Sequence, residues 1–301
     1  MTSLSGWIIY NGNLGDKFLT HAEIFHESAK KHGIHTKIVP NNSLFSMVSG
    51  GTTQLLGMED ERLPDFVLFW DKDLYLARHL EKLGVRLFNP AQVIETCDNK
   101  GLTYQWLSDC GIAMPKTVLS PRIFDWTGVK EQAYYSYVAE ELGFPMVMKE
   151  SYGSFGSQVY LIQNEEEMLG KVKELGSIPF VFQEFVRSSK GTDLRLQVVG
   201  DEVVGAMRRV SDTDFRANMG KGAHAFPHSP TTEQKELAVR CAKELGADFA
   251  GVDLLFGPEG EPILCEVNSN AHIINLRTYT GVNAADYMLL HIKRTMAGVR
   301  V

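Results

Sequence analysis

Phe249-Ala250-Gly251-Val252-Asp253-Leu254-Leu255-Phe256, followed by Gly257-Pro258-Glu259-Gly260-Glu261 and then by Pro262-Ile263-Leu264-Cys265-Glu266-Val267-Asn268, reads as two strands around a strong turn signal. A hairpin centred on Glu259-Gly260 sets Asp253 directly opposite Glu266, with Asn268 two residues further along the same face. The other face then carries Val252, Leu254 and Phe256 opposite Val267, Cys265 and Ile263, an apolar back. Like charges directly opposite on a sheet are destabilising. A hard cation removes that cost, and two carboxylates with an amide oxygen suit Mg2+ or Mn2+, which take oxygen ligands and often bridge substrate phosphates. Taken alone, the hairpin also fits a solvated acidic edge with Asn268 opening a turn.

Working outward, the chain has 301 residues, 44% of them hydrophobic and 22% charged, ordinary values for a globular enzyme of two or three packed units. A formal net charge of -7 argues against a general nucleic-acid binder, whose affinity rests on clustered Lys and Arg. Cys97, Cys110, Cys241 and Cys265 lack paired metal-ligand spacing and read as reduced thiols. Met1 to Gly6, before Trp7-Ile8-Ile9-Tyr10, lacks the apolar region of a signal peptide, and no apolar run approaches the roughly 20 residues of a membrane span. A cytoplasmic protein without membrane or nucleic-acid partners is expected. The sequence sets no oligomeric state, and a homo-oligomer is compatible with it.

The first third alternates strand and helix patterns. Trp7 to Tyr10 reads as a strand, Thr20-His21-Ala22-Glu23 as the capping-box start of a helix to about His32, and Thr36 to Val39 as a second strand. Phe66 to Trp70 and Val85 to Phe88 are further strands around a helix at Leu74 to Leu83. This β-α-β alternation favours an open, mostly parallel sheet covered by helices. Asn41 to Arg62 reads as a long loop, and a boundary falls near Asn89-Pro90 before the helical stretch Ala91 to Cys110. Beyond Met114 the pattern is α+β: strands at Pro145 to Lys149, Val159 to Ile162 and Phe180 to Val186, a hairpin from Asp193 to Arg209 turning at Gly200-Asp201, and helices at Glu165 to Leu175, Thr232 to Leu245 and Asn283 to Met296.

Several residues could carry chemistry. Lys149 ends an apolar strand just before Gly153-Ser154-Phe155-Gly156, where a lysine and small flexible residues can meet phosphate oxygens, although a plain turn also explains the glycines. Gly12-Asn13-Leu14-Gly15 lacks the third glycine and prompt helix of a dinucleotide fingerprint and is assigned to a loop. Gln183 and Glu184 interrupt an apolar strand, so they need polar partners; an adenine edge meeting the backbone at Glu184 to Val186 is one reading, a strand with one polar face the other. Centring the next hairpin on Gly200-Asp201 puts Asp193 opposite Arg208, with Arg195 on the same face. Arg208, Arg209, Arg216 and Lys221, with Asn218 between glycine-rich neighbours, form a cationic run that could cover transferring phosphate or simply be solvated charge. Lys100 opens a helix, where its charge opposes the helix dipole and wants another partner.

Taken together, these segments resemble the ATP-grasp ligases, and among them the RimK-type alpha-L-glutamate ligases. Pro145-Met146-Val147-Met148-Lys149, Gln183-Glu184-Phe185-Val186, Lys190-Gly191-Thr192-Asp193-Leu194-Arg195, Asp214-Phe215-Arg216-Ala217-Asn218, Ala250-Gly251-Val252-Asp253 and Glu266-Val267-Asn268 occur in the family's order over roughly residues 96 to 296. The resemblance implies an ATP-grasp fold of class α/β (α+β): an N-terminal pre-ATP-grasp domain over 1–95, a central subdomain over 96–186 and a C-terminal antiparallel-sheet subdomain over 187–301. It implies that Lys100 and Lys149, with Gly153, Ser154 and Gly156, contact ATP phosphates, and that Gln183, Glu184, Phe185 and Val186 form the adenine hinge. Asp193 would hold ribose, Arg216 and Asn218 would lie near the γ-phosphate with Arg216 and Lys149 catalytic, and Asp253, Glu266 and Asn268 would bind two Mg2+ or Mn2+ ions.

The implied reaction is ATP-dependent joining of a carboxylate, on a small molecule, peptide or protein tail, to an amino acid through an acylphosphate. An ATP-grasp kinase and a non-catalytic nucleotide-binding protein are the rival readings. After Glu-Val-Asn, glutamate-ligase relatives usually show Ala-Ser-Pro-Gly, whereas this chain has Ser269-Asn270-Ala271-His272. That stretch borders the acceptor pocket, so Asn270 and His272 join Arg195, Arg208 and Arg277 as candidates for substrate recognition.

Overall fold

The computed structural model describes residues 4–58, 62–124, 132–153 and 156–298, without the side chains of Lys17, Gln132 and Lys221. β1 (Ser5–Tyr10), α1 (Asp16–Lys31), β2 (His35–Pro40), β3 (Phe45–Ser49), β4 (Thr52–Leu56), β5 (Phe66–Trp70), α2 (Leu74–Lys82) and β6 (Arg86–Phe88) come first. A parallel four-stranded sheet has the order β2-β1-β5-β6. Every residue of β5 is buried, because both faces of a parallel sheet are covered. The strand period of two divides its neighbour accordingly: Ile8 joins a core with Phe25 of α1, and Ile9 joins another with Leu76 and Leu80 of α2.

Two local expectations are corrected here. α1 begins at Asp16 behind Gly15, one turn before the expected start, and Thr20 bonds back through its hydroxyl to the Asp16 carbonyl at 3.0 Å inside the helix. The stretch Asn41 to Arg62, expected as a loop, contains the β3–β4 hairpin, paired from Phe45↔Leu56 to Ser49↔Thr52. Its turn is Gly50-Gly51 with φ of 57° and 76°, the double positive φ that a tight two-residue hairpin requires.

The second sheet is antiparallel. α3 (Ala91–Asp98) and α4 (Lys100–Leu107) lead to β7 (Thr117–Leu119), α5 (Gln132–Leu142), β8 (Met146–Glu150), β9 (Val159–Ile162), α6 (Glu165–Leu175) and β10 (Phe180–Glu184). The strand order is β7-β10-β8-β9, with Met146, Met148, Phe180 and Phe182 packed beneath Val138 of α5 and Met168 and Val172 of α6.

The third sheet, β13-β12-β11-β14-β15, has five strands. It is built from β11 (Thr192–Val199), β12 (Glu202–Val210), β13 (His224–Pro227), β14 (Phe249–Phe256) and β15 (Pro262–Asn268), with α7 (Thr232–Glu244), α8 (Ile273–Thr280) and α9 (Ala284–Met296). α7 opens with a capping box on Thr231 and Gln234 and packs Leu237, Ala238 and Cys241 on Leu196, Val252 and Leu264. α8 has no counterpart in the sequence reading. Each of the spans 1–95, 96–186 and 187–301 holds one main sheet, although residue 95 falls inside α3. The first and last are joined by one core: Met288, Leu289 and Ile292 of α9, with Phe249, pack against Ile8, Phe25 and Phe66. Among the described residues no helix is long and apolar enough to cross a membrane.

Candidate active site

A cleft of about 840 Å3 lies between the second and third sheets and is closed at one end by loops of the first. That volume suits a nucleotide-sized ligand. Its floor is the β14–β15 hairpin, where Gly251↔Asn268, Val252↔Val267 and Asp253↔Glu266 pair as expected. The register then shifts, and Leu254 faces Leu264 rather than Cys265. Cys265 is the extra residue of a β-bulge, which locally suspends the alternation of faces. It therefore leaves the expected apolar back, and Cys265 and Glu266 both line the cleft.

A second bulge changes the partner of Asp193. Gly200, with φ of 57°, turns β11 into β12 as anticipated, but the register shifts after Val198 and places Asp193 opposite Arg209 instead of Arg208. Arg209 is buried, and its Nε and Nη2 each donate to the Asp193 carboxylate at 2.7 Å, while Nη2 also donates to Asp253 at 2.8 Å. Arg195, directly across from Asp253 on β11, donates to the same carboxylate at 2.6 and 2.5 Å and stands 3.8 Å from Glu266. Burial alone would push the Asp253 carboxyl up; Arg195 and Arg209 outweigh it and hold the group below the ordinary range. Two guanidiniums thus offset the like-charge cost that the sequence assigned to a cation. Arg208 points elsewhere: its guanidinium sits 5.4 Å from the Phe256 ring and its Nε donates to Thr192 Oγ1 at 3.2 Å, outside the cleft lining. Arg277 lines a separate small pocket with Glu23, Glu27 and Lys31.

Opposite the hairpin stand two buried lysines. Lys149 ends near Cys265, with Nζ 4.0 Å from Sγ and 5.9 Å from the Tyr104 ring centre. Burial opposes its charge, but its pKa lies above the ordinary lysine value, raised by Cys265 and Tyr104 where these are ionised and by the Glu266 carboxylate. Lys100 reaches the Gly153 carbonyl at 3.5 Å, and burial, only partly offset by Glu266, lowers its pKa. Gly153 and Gly156 line the cleft; Ser154 lies outside the described residues.

Arg216 is gripped by Asp214 at 2.8 and 2.7 Å and donates Nη1 to the carbonyls of Gly156 and Val159 at 2.7 and 2.9 Å, tying the third sheet's loop to the second sheet. Asn218 caps the following turn through the Gly220 N–H at 2.8 Å and lies beside Gly156. At the far end Gln183 donates to Thr117 Oγ1 at 2.8 Å, which answers its need for a partner. The Glu184 N–H donates to the Lys116 carbonyl at 2.9 Å, its carboxylate accepts from the Lys116 N–H at 2.8 Å, and Phe185 and Val186 complete that wall.

By residue type Asp253, Glu266 and Asn268 suit a hard divalent cation, but both Asp253 oxygens already accept hydrogen bonds from Arg195 and Arg209, which leaves Glu266 and Asn268 as the more open oxygen ligands. Asn268 donates Nδ2 to Glu266 Oε1 at 3.1 Å, which leaves its amide oxygen as a further donor beside two carboxylates. Among the described residues no group of three His, Cys, Asp or Glu could hold a metal.

Residues 97–292 match the RimK-like ATP-grasp domain. The chain belongs to that family. Its chemistry is therefore ATP-dependent ligation that forms an amide bond. The chain is 33% identical over 226 residues to the uncharacterized protein MG012 of Mycoplasma genitalium, covering 74% of this chain and 78% of that one. It is 36% identical over 212 residues to N-acetylaspartylglutamate synthase A of Homo sapiens, covering 69% of this chain but only 52% of that protein, about half its length. Its fold is like that of the ATP-grasp ligase PsnB in complex with a phosphomimetic variant of its minimal precursor, Mg and ADP: the TM-score is 0.70 at 16% identity, over 97% of this chain and 99% of PsnB.

Sequence reasoning put Arg209 in a cationic run without its buried bonds to Asp193 and Asp253, and it missed the cleft position of Cys265 and the N-terminal wall of Asn11, Phe18, Trp70, Asp71 and Lys72. For Arg209 a signal existed in the adjacent Arg208-Arg209 pair, but the bulge that chooses between them leaves no local mark. The Cys265 thiol gives a direct check on this RimK-like cleft. Burial pushes its pKa up to about 11, against the pull of Lys149, so below that value it stays protonated. Iodoacetamide labelling of Cys265 at pH 8, followed by peptide mass spectrometry, is expected to run about 100-fold slower than that of an exposed cysteine and to climb as pH approaches the raised value. Labelling as fast as that of an exposed thiol would contradict the raised pKa.

Proposed function

We propose that this ligase activates a carboxylate on a small molecule, peptide or protein tail as an acylphosphate and joins it to an amino acid, releasing ADP and phosphate. The observation that carries this reading is the convergence of Lys100 and Lys149 with Glu266 and Asn268 in one cleft whose other end presents the Glu184 to Val186 backbone. A substrate carboxylate oxygen attacks the γ-phosphorus of ATP, the bond to the β-phosphate oxygen breaks and ADP leaves. The amine then attacks the acyl carbon and phosphate departs with the acyl–oxygen electron pair.

In this scheme Lys149 and Lys100 neutralise phosphate oxygens, and Glu184 to Val186 hold adenine. Asp193 is bound at both oxygens by Arg209, so its contact with ribose would use remaining lone pairs. Arg216 has one of its five N–H groups left after its bonds to Asp214, Gly156 and Val159, and we assign that donor to the transferring phosphate. Asp253, Glu266 and Asn268 would hold Mg2+ or Mn2+, two ions in our reading, whose charge would offset that of phosphate. No side-chain nucleophile is needed, because positioning and charge neutralisation do the work.

Mass spectrometry after incubation with ATP, Mg2+, amino acids and a metabolite extract is expected to show a product heavier by one amino-acid residue. A stable phosphorylated product formed without any amine would replace the ligase reading by a kinase. Tight ATP binding without ADP release in any mixture would point to a non-catalytic role.

A further inference from the structure

The cleft wall contributed by the first sheet has a chemistry of its own. Tyr10 of β1 pairs with Trp70 of β5, so Asn11 and Asp71 lie side by side just beyond the carboxyl ends of parallel strands, where open α/β sheets bind ligands. Asn11 Nδ2 donates to the two Asp71 carboxylate oxygens at 3.1 and 3.4 Å, and the Lys72 N–H donates to Oδ1 at 2.7 Å. Asp71 is 7% exposed, and burial opposes its charge more than these donors support it, raising its pKa.

Asn270 meets this wall from the third sheet's side. Gly251 lets it come close: a Cβ there would sit 2.2 Å from that of Ala271, so only glycine admits the chain after β15 at this depth. Asn270 Nδ2 donates to the Asp71 main-chain carbonyl at 2.7 Å, which settles which end of the amide carries nitrogen. Its Oδ1 is buried and accepts no hydrogen bond. Buried acceptors are normally satisfied, and one that is not calls for an explanation. Beside it His272 packs edge-on against His21 at 4.8 Å and against Phe18 at 6.0 Å, an aromatic flank.

We infer that the Asn11–Asp71–Asn270 wall is the recognition subsite for one of the ligase's co-substrates, and that the group lodged there carries N–H donors, as an ammonium or amide does. The inference rests on the ligase reading of the cleft. Asn11 Nδ2 is turned onto the Asp71 carboxylate and one N–H of Asn270 Nδ2 is spent on the Asp71 main chain, while the Asp71 carboxylate and Asn270 Oδ1 remain as acceptors. A carboxylate placed against them would meet like charge and an unanswered acceptor, whereas an N–H group would satisfy both. The wall includes Asn270 and His272, within the stretch where this chain departs from the glutamate-ligase pattern, so the departure becomes a difference in substrate selection.

The test is calorimetry on the full chain with AMP-PNP and Mg2+, titrated with matched probes: L-glutamate against glutarate, and γ-aminobutyrate against butyrate. The amine-bearing member of at least one pair is expected to bind about 10-fold tighter or more, the worth of a charge-assisted hydrogen bond. Asp71→Asn and Asn270→Leu should each shrink that gap while AMP-PNP affinity, the measure of an intact cleft, is retained. Equal affinity within both pairs, binding by none of the probes, or a preference that survives both substitutions would overturn the subsite. ADP release measured in parallel separates the two claims: an amine preference without turnover removes the ligase reading and keeps the subsite, and turnover without the preference does the reverse.

Discussion

Glu266→Ala is expected to lower ADP release by about 10²–10³-fold or more, the scale seen when a group that stabilises transferring charge is lost. The fold should not suffer. Glu266 faces Asp253 across the hairpin and keeps a side-chain exposure of 34%, so its removal relieves a like-charge pair rather than opening a core. Its nearest cation, Arg195 at 3.8 Å, retains its two short bonds to Asp253. Turnover followed by a coupled ADP assay, with melting temperature measured on the same samples, separates the two effects. Turnover within tenfold of the parent at an unchanged melting temperature would remove Glu266 from the cation set, and Asp253 and Asn268 with it.

Arg209→Met should have the opposite signature, a large loss of stability. Its guanidinium is 6% exposed and binds the carboxylates of Asp193 and Asp253, themselves 8% and 2% exposed. Removing one partner of a buried ion cluster costs about 3–5 kcal/mol, because the remaining charges are left in a medium that solvates them poorly. For a chain of this size that is a fall of roughly 10 °C in melting temperature. Arg195 still answers Asp253, so most of the penalty should fall on Asp193. Adding Asp193→Asn to Arg209→Met is therefore expected to recover part of the loss, a coupling that a double-mutant cycle reads directly. A melting temperature unchanged by Arg209→Met would mean that the cluster is more solvated than its burial indicates.

Both predictions depend on residues that differed in how readable they were. Asp253 opposite Glu266 was visible in the sequence because that pair lies on the turn-distal side of the hairpin, where the register counted from Glu259-Gly260 happens to hold. The pairing of Arg209 with Asp193 was not, because one extra residue in β12 moves Arg209 to the cleft and sends Arg208 to the Phe256 ring. Cys265 changed faces for the same reason. Lys149 and the Gln183-Glu184 pair of β10 were legible, since a lysine closing an apolar strand and polar residues inside one both break a pattern, although the strand ends at Glu184 and not at Val186. Ion pairing across the sheet, as between Arg195 and Asp253, has no sequence signal at all, because the partners are far apart in the chain.

The sequence by itself showed the β-α-β opening, the Asp193–Arg209 and Phe249–Asn268 hairpins and the family resemblance, while β3, β4, β7, α5, β13 and α8 went unread. Local hydrophobic periodicity and turn chemistry act over a few residues and can be read there. Only the tertiary structure decided which arginine meets Asp193, that α9 returns to cover the first sheet, and that Asn11 and Asp71 form a wall with Asn270. These are consequences of register and of burial shared between distant segments. A bulge of one residue reverses which side chains face the cleft, and a core closes wherever apolar faces from any part of the chain exclude water together.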